Sequence, residues 1–191
     1  APWITATFDA TLDLVGANGV RLTMSATNLV GTEFIDDWLF NFNPALDPTL
    51  LSFGFVSGTA GAANNVNTGV DAFQADGDGK FDIEFDFPPP PGSSAAKFTA
   101  GETAVYDITY SAPIFASSFA FGSAPGGGNG TFDSAAHIQG IGASGNDSGW
   151  IGPGDGNGGG LPGAVVPEPT TIMLLGVGML GLGATARRKM K

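Results

Sequence analysis

Phe81-Asp82-Ile83-Glu84-Phe85-Asp86-Phe87 decides the fold of this chain. Four large apolar side chains alternate with three carboxylates. A strand turns successive side chains to opposite faces, so this spelling produces one apolar face and one charged face. Pro88 to Pro91 follow at once and stop the strand, because proline has no N–H to give a ladder.

The same period of two extends outward from this stretch. Ile4, Ala6, Phe8, Ala10, Leu12 and Leu14 alternate with Thr5, Thr7, Asp9, Thr11 and Asp13. Asn18-Gly19 supplies residues that tolerate a left-handed turn. Val20, Leu22, Met24 and Ala26 then resume the alternation, which predicts a hairpin. Further strands are expected around Asp37–Asn43, Leu50–Val56, Lys80–Phe87, Thr103–Ser111, Ile114–Phe121 and Ala136–Ile141. The stretch Ser148-Gly149-Trp150-Ile151-Gly152 is expected to be an ordered return segment. No segment before the C-terminal tail shows a sustained helical period. Short strands separated by Gly, Pro and Asn predict an all-β fold, an antiparallel β-sandwich of jelly-roll-like form. Phe8, Leu12, Leu22, Met24, Phe40, Phe53, Phe81, Ile83, Phe85, Tyr106, Ile108 and Phe119 are its expected core. The threonine-rich face of the first hairpin is left to solvent or to a second copy of the chain.

The organisation predicted is a β-sandwich ectodomain over 1–151, a Gly-rich linker over 152–165 and a tail over 166–191. Length suffices for one domain with a real core. The start at Ala1-Pro2-Trp3 is read as the result of signal-peptide removal. Cysteine is absent, so neither a disulfide framework nor a thiol nucleophile is available. Of the seven Lys and Arg, only Arg21, Lys80 and Lys97 precede the tail, against seventeen acids, which leaves residues 1–166 at a net −14. That charge excludes nucleic-acid binding through phosphate neutralisation. It leaves cations, neutral glycans and basic surfaces as partners, with solubility as the plainer role of the acids.

Three features bear on chemistry. In Asp76-Gly77-Asp78-Gly79-Lys80-Phe81-Asp82, carboxylates alternate around glycines that permit a sharp turn, a pattern able to wrap Ca²⁺. Asp76, Asp78 and Asp82 would be the side-chain ligands, with Asp71 or a remote acid completing the shell, and the ion would be structural. An EF-hand would need an oxygen donor at Lys80 and a Glu at Phe87, and lacks both. The plainer reading is a solvated Asp-Gly turn that opens a strand. The second feature is His137, the sole histidine. Ser134, Ser144 and Asp133 are near in sequence, but the chain has no nucleophile elbow around a serine. One histidine without cysteine cannot make a histidine-rich zinc site, so a hydrogen-bonding role is favoured. The third is aromatic. Trp3, Trp38 and Trp150 can stack on sugar rings or simply pack; Trp38 and Trp150 are the candidate glycan contacts. Asp36 and Asp37 are neighbours on an expected strand, which would turn them to opposite faces and spoil them as a hydrolytic pair.

The last residues carry a tripartite tail. Val166-Pro167-Glu168-Pro169 precedes an uncharged apolar run, 170–186, and the basic cluster Arg187, Arg188, Lys189 and Lys191 ends it. The run of 17 residues is at the short limit for a transmembrane helix. The terminal charges would stay cytoplasmic and place the remainder outside. Gly176, Gly178, Gly181 and Gly183 would let another helix pack closely. An ordinary C-terminal anchor shares these features. A buried core helix does not, since no polar face is patterned.

These three parts in this order resemble the PEP-CTERM sorting signal of bacterial exported proteins. The resemblance implies that exosortase, a membrane-embedded cysteine peptidase or transpeptidase-like enzyme, removes the helix near Pro-Glu-Pro and passes the protein to the exterior. Ala136-His137-Ile138-Gln139-Gly140, the later Ser148-Gly149-Trp150-Ile151, Asn41-Phe42-Asn43-Pro44 and the Asp-Gly-Asp-Gly to Phe-Asp-Phe-Pro segment also resemble stretches of exported proteins of this kind, and they imply no activity. The function expected is a non-enzymatic structural or adhesive role in the extracellular polysaccharide layer, as in a biofilm matrix, without a required cofactor. The partners expected are exosortase, a surface exopolysaccharide, the inner membrane before processing, and further copies of the chain. A glycan-binding module is the alternative, and a calcium-dependent hydrolase is a further one.

Overall fold

The computed structural model describes residues 2–9, 18–76, 79–87, 97–126 and 131–152. Their strands pair antiparallel throughout and form two sheets. The first sheet runs, edge to edge, β1 (Thr5–Asp9), β2 (Gly19–Ser25), β8 (Thr103–Thr109) and β4 (Ser52–Ser57). The second runs β10 (Asp147–Ile151), β9 (Ser134–Ile141), β3 (Phe34–Phe40), β6 (Lys80–Asp86) and β5 (Asn65–Gln74), and the short β7 (Phe98–Thr99) also pairs with β3. The class is therefore all-β, as the alternation predicts.

The decisive stretch behaves as its spelling requires. Along β6, buried and half-buried residues alternate, with Ile83 and Phe85 inside and Asp82, Glu84 and Asp86 outside. The first hairpin pairs Phe8 with Leu22 and Ala6 with Met24, all four buried. Its Thr5 and Thr7 are half-buried. Gly19 is not the turn: it opens β2 opposite Thr109, and the connection, with Leu12, lies outside the described residues.

The core lies between the sheets and is largely aromatic. Phe85 on β6 meets Tyr106 of β8 at 4.9 Å and Phe53 of β4 at 5.6 Å, both edge to face. Phe8 of β1 meets Phe40 of β3 at 5.4 Å in the same way. Edge-to-face rings set the positive edge of one against the negative face of the next, so these contacts fix how the sheets stack as well as that they stack. Of the expected core residues that are described, all are buried except Phe53, which is half-buried. A second, smaller cluster gathers Leu39, Phe81, Ala75 and Ala135, with Phe73, Phe132 and Trp150 packed on it.

Several expectations are corrected. Ile114–Phe121 is not a strand; Ala116–Phe119 forms a single 3₁₀ turn. The hydroxyl of Ser118 accepts the amide of Phe115, and the Ser118 amide returns to the Phe115 carbonyl, so local bonds displace the ladder. Ile114 and Phe119 still enter the core, where Phe119 stacks on Phe8 at 4.4 Å. The strand expected over Asp37–Asn43 begins earlier, at Phe34, and ends at Phe40. β5 and β7 stand where no strand is expected, and the return segment is strand β10. Among the described residues no helix is long and apolar enough to cross a membrane; the linker from 153 and the tail, including the run 170–186, lie outside them.

Phe85 is fully buried and shared by both layers, so Phe85→Ala should destabilise the fold by about 3–5 kcal/mol, seen as a lower urea midpoint.

Candidate functional site

The site is built by an irregularity in β3. At its start, Phe34 and Ile35 pair with β7; from Asp37 onward the strand pairs with β6. On the other side, Ile35 faces Ile138 of β9 and Asp37 faces His137, so the register shifts and Asp36 is the extra residue. Such a bulge redirects side chains locally. The expectation that Asp36 and Asp37 point to opposite faces is thereby overturned. A carboxylate oxygen from each and a ring nitrogen of His137 all lie within 4.8 Å of one another.

Asp36 is only 8% exposed, and its carboxylate and its carbonyl are both held. Its Oδ1 lies 2.9 Å from Nδ1 of His137 and accepts the Asp37 amide at 3.0 Å. Its Oδ2 accepts the side-chain amide of Gln139. Its carbonyl accepts the amide of Phe87 at 2.6 Å. The imidazole of His137 in turn stacks on Trp150 of β10, with ring centres 5.0 Å apart and planes inclined by 23°. A buried carboxylate is costly unless its lone pairs are met, and here β3 and β9 meet them.

The register carries this cluster across the outer face of the second sheet. Trp150 pairs with His137, His137 with Asp37, Asp37 with Asp86, and Asp86 with Asn65. Directly paired residues share a face, so one transverse row runs from an indole to a carboxamide across five strands. A second row begins beside it. Glu84 pairs with Asn67 and accepts its amide at 2.8 Å, while Asn65 donates to Asp86 at 3.3 Å. Among the described residues no Lys or Arg forms an ion pair with these carboxylates: Arg21 is engaged bidentately with Asp107 on the other sheet, and Lys97 lies over the Phe34 ring. Burial is the first cause that pushes the Asp37 carboxyl from an ordinary 3.8 up to about 6; Asp36, Glu84 and Asp86 push the same way and His137 opposes them.

The other sequence candidates fall elsewhere. Trp38 is 2% exposed, beside Phe40 and Phe98 in the core, and offers no surface to a sugar. Trp3 is half-buried against the same core. Trp150 remains half-buried at the end of the polar row. Ser134 points inward opposite Phe40 and Ser144 lies in the β9–β10 connection; the acid beside His137 is Asp36, not Asp133. Asp76, with φ of +42°, and Gly79, at +123°, flank the β5–β6 connection, and Asp78 lies outside the described residues. Asp82 acts as a clasp: its two oxygens accept the amides of Phe42 at 3.0 Å and of Asp71 at 2.9 Å. Asp71 and Asp82 line a shallow recess of ≈ 240 Å³ with Asn41, Asn43 and Pro44. Sequence reasoning missed Gln139 as a partner of Asp36. The signal available was the alternation that puts His137 and Gln139 on one face of a strand.

The described chain is thus an antiparallel two-sheet protein with an acidic outer face centred on a His–Asp–Asp cluster. Residues 165–189 match the PEP-CTERM protein-sorting motif, which marks an exported protein that exosortase processes and sorts to the cell surface. No curated protein and no solved structure gives a significant match to the chain.

The folded state holds the Asp37 proton more tightly than the unfolded chain does, so this group's contribution to stability is greatest below about pH 4 and is lost as pH rises toward about 6. Asp37→Asn should therefore stabilise the protein by about 1 kcal/mol at neutral pH, after allowance for solvent screening. It should also flatten the pH dependence of the urea midpoint between about pH 4 and 6, measured in chelator-containing buffer.

Proposed function

We propose that this exported protein is a non-enzymatic structural and adhesive component of the extracellular polysaccharide layer. The sorting motif carries the reading, because it sends an acidic, cysteine-free β-sandwich to the cell exterior. Five of its connections cross from one sheet to the other, between β2 and β3, β3 and β4, β4 and β5, β7 and β8, and β8 and β9, a jelly-roll-like wrapping. Such wrapping suits a scaffold that presents broad faces rather than a deep cleft. Asp36 and Asp37 stand side by side on one strand. A pair of glycosidase carboxylates instead flanks the scissile bond from opposite sides, so the arrangement favours binding over hydrolysis.

In this reading the run 170–186 anchors the protein in the inner membrane until exosortase cuts near Pro167–Pro169. Until that cut the linker 152–165 keeps the ectodomain clear of the bilayer, and after release further copies of the chain assemble with it in the matrix. A structural Ca²⁺ at Asp76, Asp78 and Asp82 would brace the β5–β6 connection.

One observation favours a more specific second reading, in which the ectodomain is a glycan-binding module. Trp150, His137, Asp37, Asp86 and Asn65 stand in one row, with Glu84 and Asn67 alongside. An aromatic face stacks on the apolar face of a pyranose, while carboxylates and carboxamides bind its hydroxyls.

Two measurements separate these readings from their alternatives. Intact mass of the protein recovered from the cell exterior should end near Pro167–Pro169; a full-length mass confined to the membrane fraction would mean a plain anchor. For the glycan reading, Trp150→Ala should weaken retention on the producing cell's own exopolysaccharide about tenfold or more, whereas unchanged retention would leave only the structural role.

A further inference from the structure

We propose that Asp36, Asp37 and His137 bind one divalent cation of the zinc class on the outer face of the second sheet. The set is not a mere gathering of acids. It combines two carboxylates with one imidazole, from two strands held in register, and all three donors converge within 4.8 Å. Cis ligands at ~2.1 Å from a metal stand ~3 Å apart, and Nδ1 of His137 is 2.9 Å from Oδ1 of Asp36. A cation displacing the proton between these atoms therefore needs little movement of either.

The surroundings are those of a supported site. Metal ligands work best when a second layer of contacts fixes their orientation. Gln139 holds the other oxygen of Asp36, the Asp37 amide holds Oδ1, and Trp150 sets the plane of the imidazole. Glu84 and Asp86 add negative charge next to Asp37, and no Lys or Arg among the described residues pairs with any of the four carboxylates. A divalent cation supplies the missing positive charge. The imidazole selects zinc and its first-row neighbours over calcium, whose ligands are oxygens. Three protein donors leave further positions to water, so the site is open rather than sealed. It is separate from the Asp76–Asp82 segment, and it stands whether or not the face binds glycan.

The test uses the full, untagged chain in detergent micelles, with ¹⁵N-labelled histidine. His137 is the sole histidine, so its two ring resonances need no assignment to a residue. After chelator treatment, one equivalent of Zn²⁺ should shift Nδ1 into the metal-bound range. Asp37→Asn should raise the zinc concentration needed at least about tenfold while the circular dichroism spectrum and urea midpoint stay those of a folded protein. This variant, unlike one at Asp36, removes a destabilising charge and so keeps the fold. Gln139→Ala should weaken binding by a smaller factor. An unmoved Nδ1 resonance, a shift at Nε2 alone, or equal zinc affinity in Asp37→Asn and the parent would each overturn the site.

Discussion

The second sheet depends on how its central strand survives a buried carboxylate. β3 is flanked on one side by β9 and on the other by β6 and β7, and six of its seven residues are buried. Asp36 sits at the point where β3 changes partner, and its side chain and carbonyl are bound from three directions. Without the bulge Asp36 would point at the core, where nothing in the Phe- and Ile-lined interior can accept a charge. With it, the carboxylate turns to the His137–Gln139 face of β9, and β3 resumes its pairing on both sides at Asp37. The neighbouring chain is shaped to fit. Gly140 ends the site on β9 with φ of +74°, and a Cβ there would lie 2.3 Å from the Thr32 carbonyl, so only glycine lets this part of β9 approach the entry to β3.

The parts of the fold legible in the sequence are those where burial differs between the two faces of a strand. Phe81 to Phe87 and Val20 to Ala26 alternate because one side meets the core and the other meets water. β5 gives no such signal. It is an edge strand exposed over most of its length, so Asn65, Asn67 and Val70 satisfy its surroundings without an apolar stripe. Its register also breaks between Thr68 and Phe73, which destroys any period a reader could follow. β7 is two residues long and exists only because β6 has left a vacancy beside Phe34 and Ile35. The opposite error arises at Ile114–Phe121, where apolar residues suited to a strand enter the core from an irregular segment. Composition there reports burial, and the backbone is decided by Ser118.

The site was half legible for a related reason. Asp36, Asp37, His137 and Trp150 all attract notice as residue types, yet adjacency in a regular strand argues that the two acids part. A bulge has no spelling of its own; it follows from register on both neighbours. What the sequence does contain is grouping. The stretches Ala136–Gly140 and Ser148–Ile151 become the paired strands β9 and β10, and β9 carries His137 and Gln139 to Asp36 of β3. Asn41, just past β3, donates its amide to the Phe132 carbonyl just before β9. Segments that share a resemblance in sequence are therefore one contiguous region of the second sheet.

The acidic face is hard to explain as a solubility device alone. Carboxylates meant only for hydration do that work best when dispersed and fully exposed, where repulsion is screened by salt. Here Asp37 is half-buried beside Asp36 and in register with Asp86, and burial first, then these neighbouring charges, push its carboxyl up to about 6. The arrangement costs stability at neutral pH, the kind of local cost that binding sites carry and that the rest of a fold offsets. The aromatic core shared by both sheets is what offsets it. Arg21 shows the contrast on the other sheet: it stands opposite Asp9 on one side and is bonded to Asp107 on the other, so the acids there have a cation of the chain's own between them. The face on which no Lys or Arg among the described residues pairs with a carboxylate is the one that carries His137 and Trp150, and compensation from outside the chain is the physical role open to it.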